Sequence, residues 1–152
     1  MQLDTTDRKL INLLQEDSKQ TTKQLSLALN LSVTAVYERI KKLEKEQVIK
    51  QYVALINKNK IEKSFLVFCH IKLIQHTKEY VTNFEKEVLK LSEVAECFHV
   101  SGDYDYILKI YVKDMESYRD FMITKLTAIK HIGSTHSIFT IGEVKNTTAI
   151  NL

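Results

Sequence analysis

The residues best equipped for chemistry in this 152-residue chain gather between Ser32 and Lys45. Val36, Ile40 and Leu43 are spaced four and three apart, as on one buried helical face. At about 100° per residue, the opposite side carries Thr34, Glu38, Lys41, Lys42 and Lys45, with Ala35 and Tyr37 on its flanks. Hydroxyl and carboxylate groups near the start of such a helix can meet base edges, and lysines further along can neutralise phosphates. Glu38 is suited to accept from a cytosine amino group, and Tyr37 to contact a phosphate or a base methyl group. The amides from Ser32 to Thr34 form a partial positive end that attracts phosphate. A solvated amphipathic face shows the same Lys and Glu pattern. The capped short helix and tight turn in front of it tip the reading toward DNA.

Other chemistries find little support. There is no P-loop, no GxSxG and no GxGxxG, and the acidic residues of the second half fall mostly on predicted helix surfaces, so no enzyme activity is expected. Cys69 and Cys97 sit in apolar surroundings without a CxxC partner or a His at zinc-finger spacing, and are read as buried, reduced thiols. The histidines lie between residues 70 and 136 without an HxxxH or HExxH pattern, so neither a metal site nor a cofactor is expected.

The elements that must position these residues differ between the two halves. Asp4 is a candidate N-cap, with Asp7 three residues on and Leu10, Leu13 and Leu14 on one helical face running to about Asp17. Thr21-Thr22-Lys23-Gln24 is a T-x-x-Q capping box. It opens a helix of about two turns that ends at Asn30, a residue tolerant of left-handed backbone. Ser32 then caps the third helix, which should reach Lys45 or Glu46. A short helix, a tight turn and a longer amphipathic helix make a helix-turn-helix.

From residue 64 onward the order is strand, helix, strand, strand, helix, strand. Ser64 to Ile74 alternates, Thr77 caps a helix, and Val94 to Val100 and Tyr104 to Val112 are joined by a turn at Ser101-Gly102-Asp103. Asp114 caps a helix carrying Met115, Tyr118, Met122 and Leu126, and Ser134 to Val144 is the last strand. That βαββαβ order is ferredoxin-like, with both helices on one face of an antiparallel sheet. Leu66, Phe68, Ile107 and Tyr111 would make the other face apolar, which predicts at least a dimer through this half. The fold class expected is α+β, with a winged helix-turn-helix over residues 1–57, a linker strand to about 60, and a ferredoxin-like effector-binding and oligomerisation domain over 61–152.

Charge divides at the same place. Residues 1–60 hold 11 basic and 7 acidic side chains, residues 61–152 hold 11 and 12, and Asn57-Lys58-Asn59-Lys60 is a polar junction. With 44% hydrophobic and 27% charged residues the chain has globular, not disordered, composition. No apolar run approaches the ~20 residues that span a bilayer, and the start lacks a secretory pattern, so no membrane association and a cytoplasmic location are expected.

Two regions, one in each half, carry a resemblance. Leu3-Asp4 through Ile11 and Leu14 is similar to an opening LDxxDxxIL, while Leu31-Ser32, Val36, Arg39-Ile40, Leu43-Glu44 and Ile49 follow LSxxxVxxRIxxLExxGxI. Gly102-Asp103-Tyr104-Asp105-Tyr106-Ile107-Leu108-Lys109 resembles GDYDYLLK. Both belong to the Lrp/AsnC, or feast/famine, family of bacterial and archaeal transcription regulators. One departure is Gln47, which stands where the family usually has glycine at the end of the reading helix.

The resemblance implies a regulator that dimerises through its sheets, assembles further to tetramers or octamers, and binds an amino acid between dimers. Carried onto matching positions, the effector contacts would be Ser101, Gly102, Asp103, Tyr104 and Asp105, with Thr135 and Ser137 from the last strand. Turn amides and Gly102 admit a carboxylate closely, Asp103 or Asp105 can pair with an ammonium, and hydroxyls complete the shell. A plain hairpin turn with Tyr104 as strand packing is the competing reading. Sirohaem decarboxylases resemble the same two-domain layout, and His99 and His136 keep that alternative open. A metabolite sensor with a degenerate DNA module is the third.

Overall fold

The computed structural model describes residues Gln2–Leu152, which fall into two compact units: residues up to Leu55 together with Val144–Leu152, and Ile56–Glu143. In the first unit, α1 (Thr5–Glu16), α2 (Thr22–Leu29) and α3 (Val33–Lys45) surround a core of Leu10, Ile11, Leu25, Val36 and Leu43. Leu3, Leu13, Leu14, Leu29, Leu31, Ile40 and Ile49 pack around it. Full burial of each such aliphatic side chain contributes about 1.5–3 kcal/mol, enough to hold three short helices that would be marginal in isolation.

The helix ends follow the expected chemistry. Asp4 accepts from the Asp7 amide at 2.7 Å and Thr21 from the Gln24 amide at 3.2 Å, each inside a reciprocal capping box. Asn30 adopts φ 53°. The Leu31 amide reaches back to Ser26 O and the Asn30 amide to Leu27 O, the paired bonds of a Schellman turn. Gln47 accepts the left-handed conformation that glycine would have supplied, at φ 57°. The Val48 amide donates to Leu43 O and the Gln47 amide to Glu44 O, both at 3.0 Å, while Gln47 Nε2 also donates to Glu44 O at 3.2 Å. These bonds close the helix end, while the left-handed backbone at Gln47 retains its strain.

The segment after α3, residues 50–57, forms no strand within this chain, and Tyr52, Val53 and Leu55 are exposed. Val144–Leu152 packs with the helices. The Gln15 side-chain amide both donates to Ile150 O (2.8 Å) and accepts from the Ile150 amide (2.7 Å), as a neighbouring strand's backbone would.

In the second unit, a turn at Lys58–Lys60 leads to β1 (Phe65–Leu73), α4 (Lys78–Val88), β2 (Val94–His99), β3 (Tyr106–Val112), α5 (Met115–Phe121) and β4 (Ile132–Phe139). The strands form one antiparallel sheet in the order β2-β3-β1-β4. Val67, Cys69, Ile71 and Leu73 of β1 and Tyr106, Leu108, Ile110 and Val112 of β3 pack against Phe84, Val88, Tyr118 and Phe121 of the helices. Beyond Phe121 the α5 turn widens, the Thr127 amide bonding Met122 O, and delivers Leu126 to the core.

The expected linker strand is not formed, because residues 50–57 pair with no strand of this chain, and two further details depart from the sequence reading. The last strand begins at Ile132 and ends at Phe139, short of Val144, because β1 begins at Phe65 and Thr140 makes the final backbone bond, to Leu66 O. Val144 is fully exposed. Cys97 is only half-buried, lying on the edge strand β2, whereas Cys69 is buried; both are free thiols, and desolvation followed by the Glu85 charge pushes the Cys97 thiol up to about 11.

Candidate nucleic-acid interface and effector loop

The position of α3 is set by its core residues and by one arginine. Val36 and Leu43 are fully buried, which turns the other side of the helix to solvent. Ser32 Oγ accepts from the Ala35 amide at 3.1 Å and fixes the first turn. Arg39 then crosses to the start of α1, where one guanidinium nitrogen bonds Asp4 at 2.7 Å and Asp7 at 2.6 Å. Asp7 is almost fully buried and Asp4 half-exposed. The Asp7 backbone amide, and after it Arg39, hold the Asp4 carboxyl below its ordinary value, and the two carboxylates raise Arg39. The sequence reading placed Arg39 only within a motif. Its role as a clamp was signalled by Asp4 and Asp7 together, two acids at one helix start that need a cation.

With the helix so fixed, Ser32, Thr34, Tyr37, Glu38, Lys41, Lys42 and Lys45 are exposed and Ala35 is half-exposed. Lys41 is partly committed, bonding Glu44 at 3.0 Å and lying 5.8 Å from the Tyr37 ring centroid; Glu44 raises the Lys41 ammonium and is itself lowered by it. Tyr52 donates to the other Glu44 oxygen at 3.1 Å, and burial with that bond pushes its phenol up. Thus Glu44 faces its own structure while Glu38, Lys42 and Lys45 face outward. The face offers hydroxyl and carboxylate groups at its N-terminal end and ammonium groups at its C-terminal end, the order that base reading followed by phosphate contact requires.

In the second unit the 101–105 loop is closed at its base by Val100 N donating to Asp105 O (2.9 Å) and Asp105 N donating to Ile71 O (2.8 Å). Ser101, Gly102 and Asp103 are exposed at its tip, and Gly102 holds φ 126°, a conformation that side chains disfavour. Tyr104 turns to the open face of the sheet, its ring 4.8 Å from that of His70. Asp105 is engaged below the loop: Oδ2 accepts from the Leu73 amide at 2.7 Å and Oδ1 meets His76 Nδ1 at 3.1 Å.

Thr135 and Ser137 lie across β1, opposite Ile71 and Cys69, on the helix-covered face. The Ser137 hydroxyl shares a 2.6 Å hydrogen bond with Tyr118 of α5. Loop residues 101–105 are therefore brought together, Thr135 is two strands from the loop's base, and Ser137 is occupied beneath a helix. His99 faces α4, whereas His136 pairs with His70 on the opposite face, so these two histidines do not share a site. Among the described residues, no helix is long and apolar enough to cross a membrane.

Comparison with known proteins accounts for both units. Residues 3–50 match the family model described as winged helix-turn-helix DNA-binding, and residues 66–150 match that of the Lrp/AsnC ligand binding domain. The chain is similar to the leucine-responsive regulatory protein of Escherichia coli K12, 36% identical over 148 residues, spanning 97% of this chain and 90% of that one. A transcriptional regulator of Neisseria meningitidis, solved as its L-Met complex, superposes with a TM-score of 0.94 at 30% identity, covering 98% of this chain and 96% of that one. An AsnC family transcriptional regulator from Agrobacterium tumefaciens gives 0.93 at 34% identity, covering 97% and 96%.

Proposed function

The chain belongs to the Lrp/AsnC family of transcriptional regulators, and from that premise we propose how its residues divide the work. Helix α3 enters the major groove of double-stranded DNA, with Ser32, Thr34, Ala35, Tyr37 and Glu38 at the base edges and nearest phosphates, and Lys41, Lys42 and Lys45 on the backbone. The observation that carries this reading is the exposed face of α3, held by Arg39 on the Asp4–Asp7 pair, with its outward groups in the order that DNA contact needs.

Regulation is assigned to the 101–105 loop. A small effector, an amino acid, places its carboxylate against the turn amides around Gly102 and its ammonium against Asp103 or Asp105. Thr135 and Ser137 complete that set as the family resemblance implies, although both are its weakest members and Ser137 is also held by the Tyr118 bond. The L-Met held by the Neisseria relative supports the chemical class. The face of the sheet away from the helices, with Leu66, Phe68, Ile107 and Tyr111, joins two copies into a homodimer, and dimers assemble into tetramers or octamers. Binding of the effector then changes assembly or DNA affinity only to the extent that it favours one state over another.

The test is fluorescence anisotropy of the DNA upstream of the protein's own gene against a scrambled duplex of equal length, over a salt series and with each L-amino acid in turn. Preferential binding is expected, with a log–log salt slope that falls by about 0.9 for each phosphate contact removed in Lys42→Glu or Lys45→Glu. If both duplexes bind equally and the substitutions leave the slope unchanged, α3 is a solvated surface and not a reading helix. Gly102→Arg should abolish the effector response; an unaltered response sinks the loop assignment.

A further inference from the structure

We propose that His76 and His99 form a binding site for a divalent first-row transition ion of the Zn2+, Ni2+ or Cu2+ type. His76 precedes the Thr77 cap of α4 and His99 ends β2, so 22 residues separate them and no sequence motif joins them. In the fold their ring centroids stand 5.3 Å apart with planes inclined at 37°. Metal–nitrogen bonds of about 2.0–2.1 Å at a tetrahedral angle place two imidazole centroids roughly 5 Å apart. The pair thus has the spacing an ion requires.

The groups behind the rings have the matching arrangement. His76 Nδ1 meets Asp105 Oδ1 at 3.1 Å, and His99 Nδ1 lies 3.8 Å from Glu85 Oε1. The Asp105 carboxylate at His76 Nδ1 favours the proton there and leaves the Nε2 lone pair for a metal, whereas Glu85, beyond hydrogen-bond reach of His99, acts on that ring through its charge alone. Both carboxylates are themselves anchored. Asp105 accepts from the Leu73 amide at 2.7 Å, and Glu85 accepts from the hydroxyl of fully buried Tyr106 at 3.0 Å. The His99 ring stacks on Tyr106 at 4.6 Å, which restricts its rotation. Both imidazoles remain about half-exposed, so an ion and its waters can reach them.

Among the described residues no three side chains of His, Cys, Asp or Glu converge on a common point. The site is accordingly open, with two protein ligands and the remaining positions taken by water or a small chelating molecule. The second histidine pair, His70 and His136, supplies an internal contrast: its centroids are 6.1 Å apart, and the buried His70 Nδ1 has no hydrogen-bond partner to orient the ring. Imidazole must be neutral to bind a metal, so uptake should weaken as pH falls.

The experiment titrates the full chain near neutral pH with Zn2+ and Ni2+ by calorimetry, and with Co2+ by visible absorption. One ion per chain is expected at this site. His76→Ala and His99→Ala should each weaken binding about tenfold or more with unchanged circular dichroism, and Asp105→Asn, which can still accept from Leu73, by about 10- to 100-fold. His136→Ala and Cys97→Ser should leave binding as it is. Failure to take up any ion at millimolar concentration, uptake that survives both histidine substitutions, or uptake lost instead in His136→Ala or Cys97→Ser, would each overturn the assignment.

Discussion

Replacing Arg39 with Met tests whether one guanidinium positions the DNA-reading helix. Methionine keeps the apolar stem and removes the charge. The Asp7 carboxylate, with a side chain 6% exposed, then loses its 2.6 Å partner on Oδ1 and keeps only a 3.3 Å bond from the Asp4 amide on Oδ2. Stranding one partner of a fully buried pair costs about 3–5 kcal/mol, and an unsatisfied buried acceptor about 1–3. Arg39 is one-third exposed, so water can partly replace it, and a loss of about 2 kcal/mol is expected.

For a helical unit of this size that loss lowers its melting temperature by roughly 8–16 °C. A double-mutant cycle with Asp7→Asn should give a coupling of about 1.5–2 kcal/mol, whereas one with Asp4, whose side chain is half-exposed and screened by water, should give a clearly smaller coupling. Urea denaturation gives the free energies, and hydrogen exchange of the α1 and α3 amides localises the loss. DNA affinity should fall with an unchanged salt slope, because no phosphate contact is removed. An Arg39→Met chain within about 0.5 kcal/mol of wild type, or one that loses protection equally in the sheet, refutes the clamp.

Gln47→Gly should stabilise the first unit by about 0.5–1 kcal/mol, since relief of the left-handed strain outweighs the added freedom of the unfolded chain; thermal melting reads the sign. The Asp4 carboxyl is held low by the Asp7 amide and then by Arg39. Its folded-state value lies below its unfolded one, so its contribution is present above about pH 3.8 and fades as pH falls through the folded value. An acid titration of Asp4→Asn should therefore converge on wild type only at the acid end. Ser137→Ala should cost about 1 kcal/mol of stability through loss of the Tyr118 bond, with only a small loss of effector affinity, as befits one of the weakest contacts of the set; a large loss of affinity without loss of stability in paired melting and binding curves would refute that ranking.

Local chemistry was legible where the residues that cause it are neighbours. Asp4 with Asp7, Thr21 with Gln24, Ser32 with Ala35 and Asn30 with Leu27 interact within one turn, so their types and spacing fix the helix ends. The alternation of β1 and the 3.6-residue periodicity of α3 told in the same way which faces would be buried. Strand length was less legible. The end of β4 depends on where β1, 74 residues earlier, begins to offer partners, and nothing near Val144 carries that information.

What the sequence determined alone is the order of elements, the buried stripe of each, the exposed face of α3 and the two motifs of its family. All of these rest on interactions within one turn or one strand, where backbone geometry is nearly fixed by residue type. Contacts between distant positions were decided only by the tertiary structure. Arg39 reaches Asp4 and Asp7, Ile150 docks on Gln15, Ser137 lies beneath Tyr118, and His76 meets His99 beside Asp105 and Glu85. Side-chain type states what each group could bind. Which partner it meets depends on helix crossings and strand order, which the packing of two cores selects and no local pattern records.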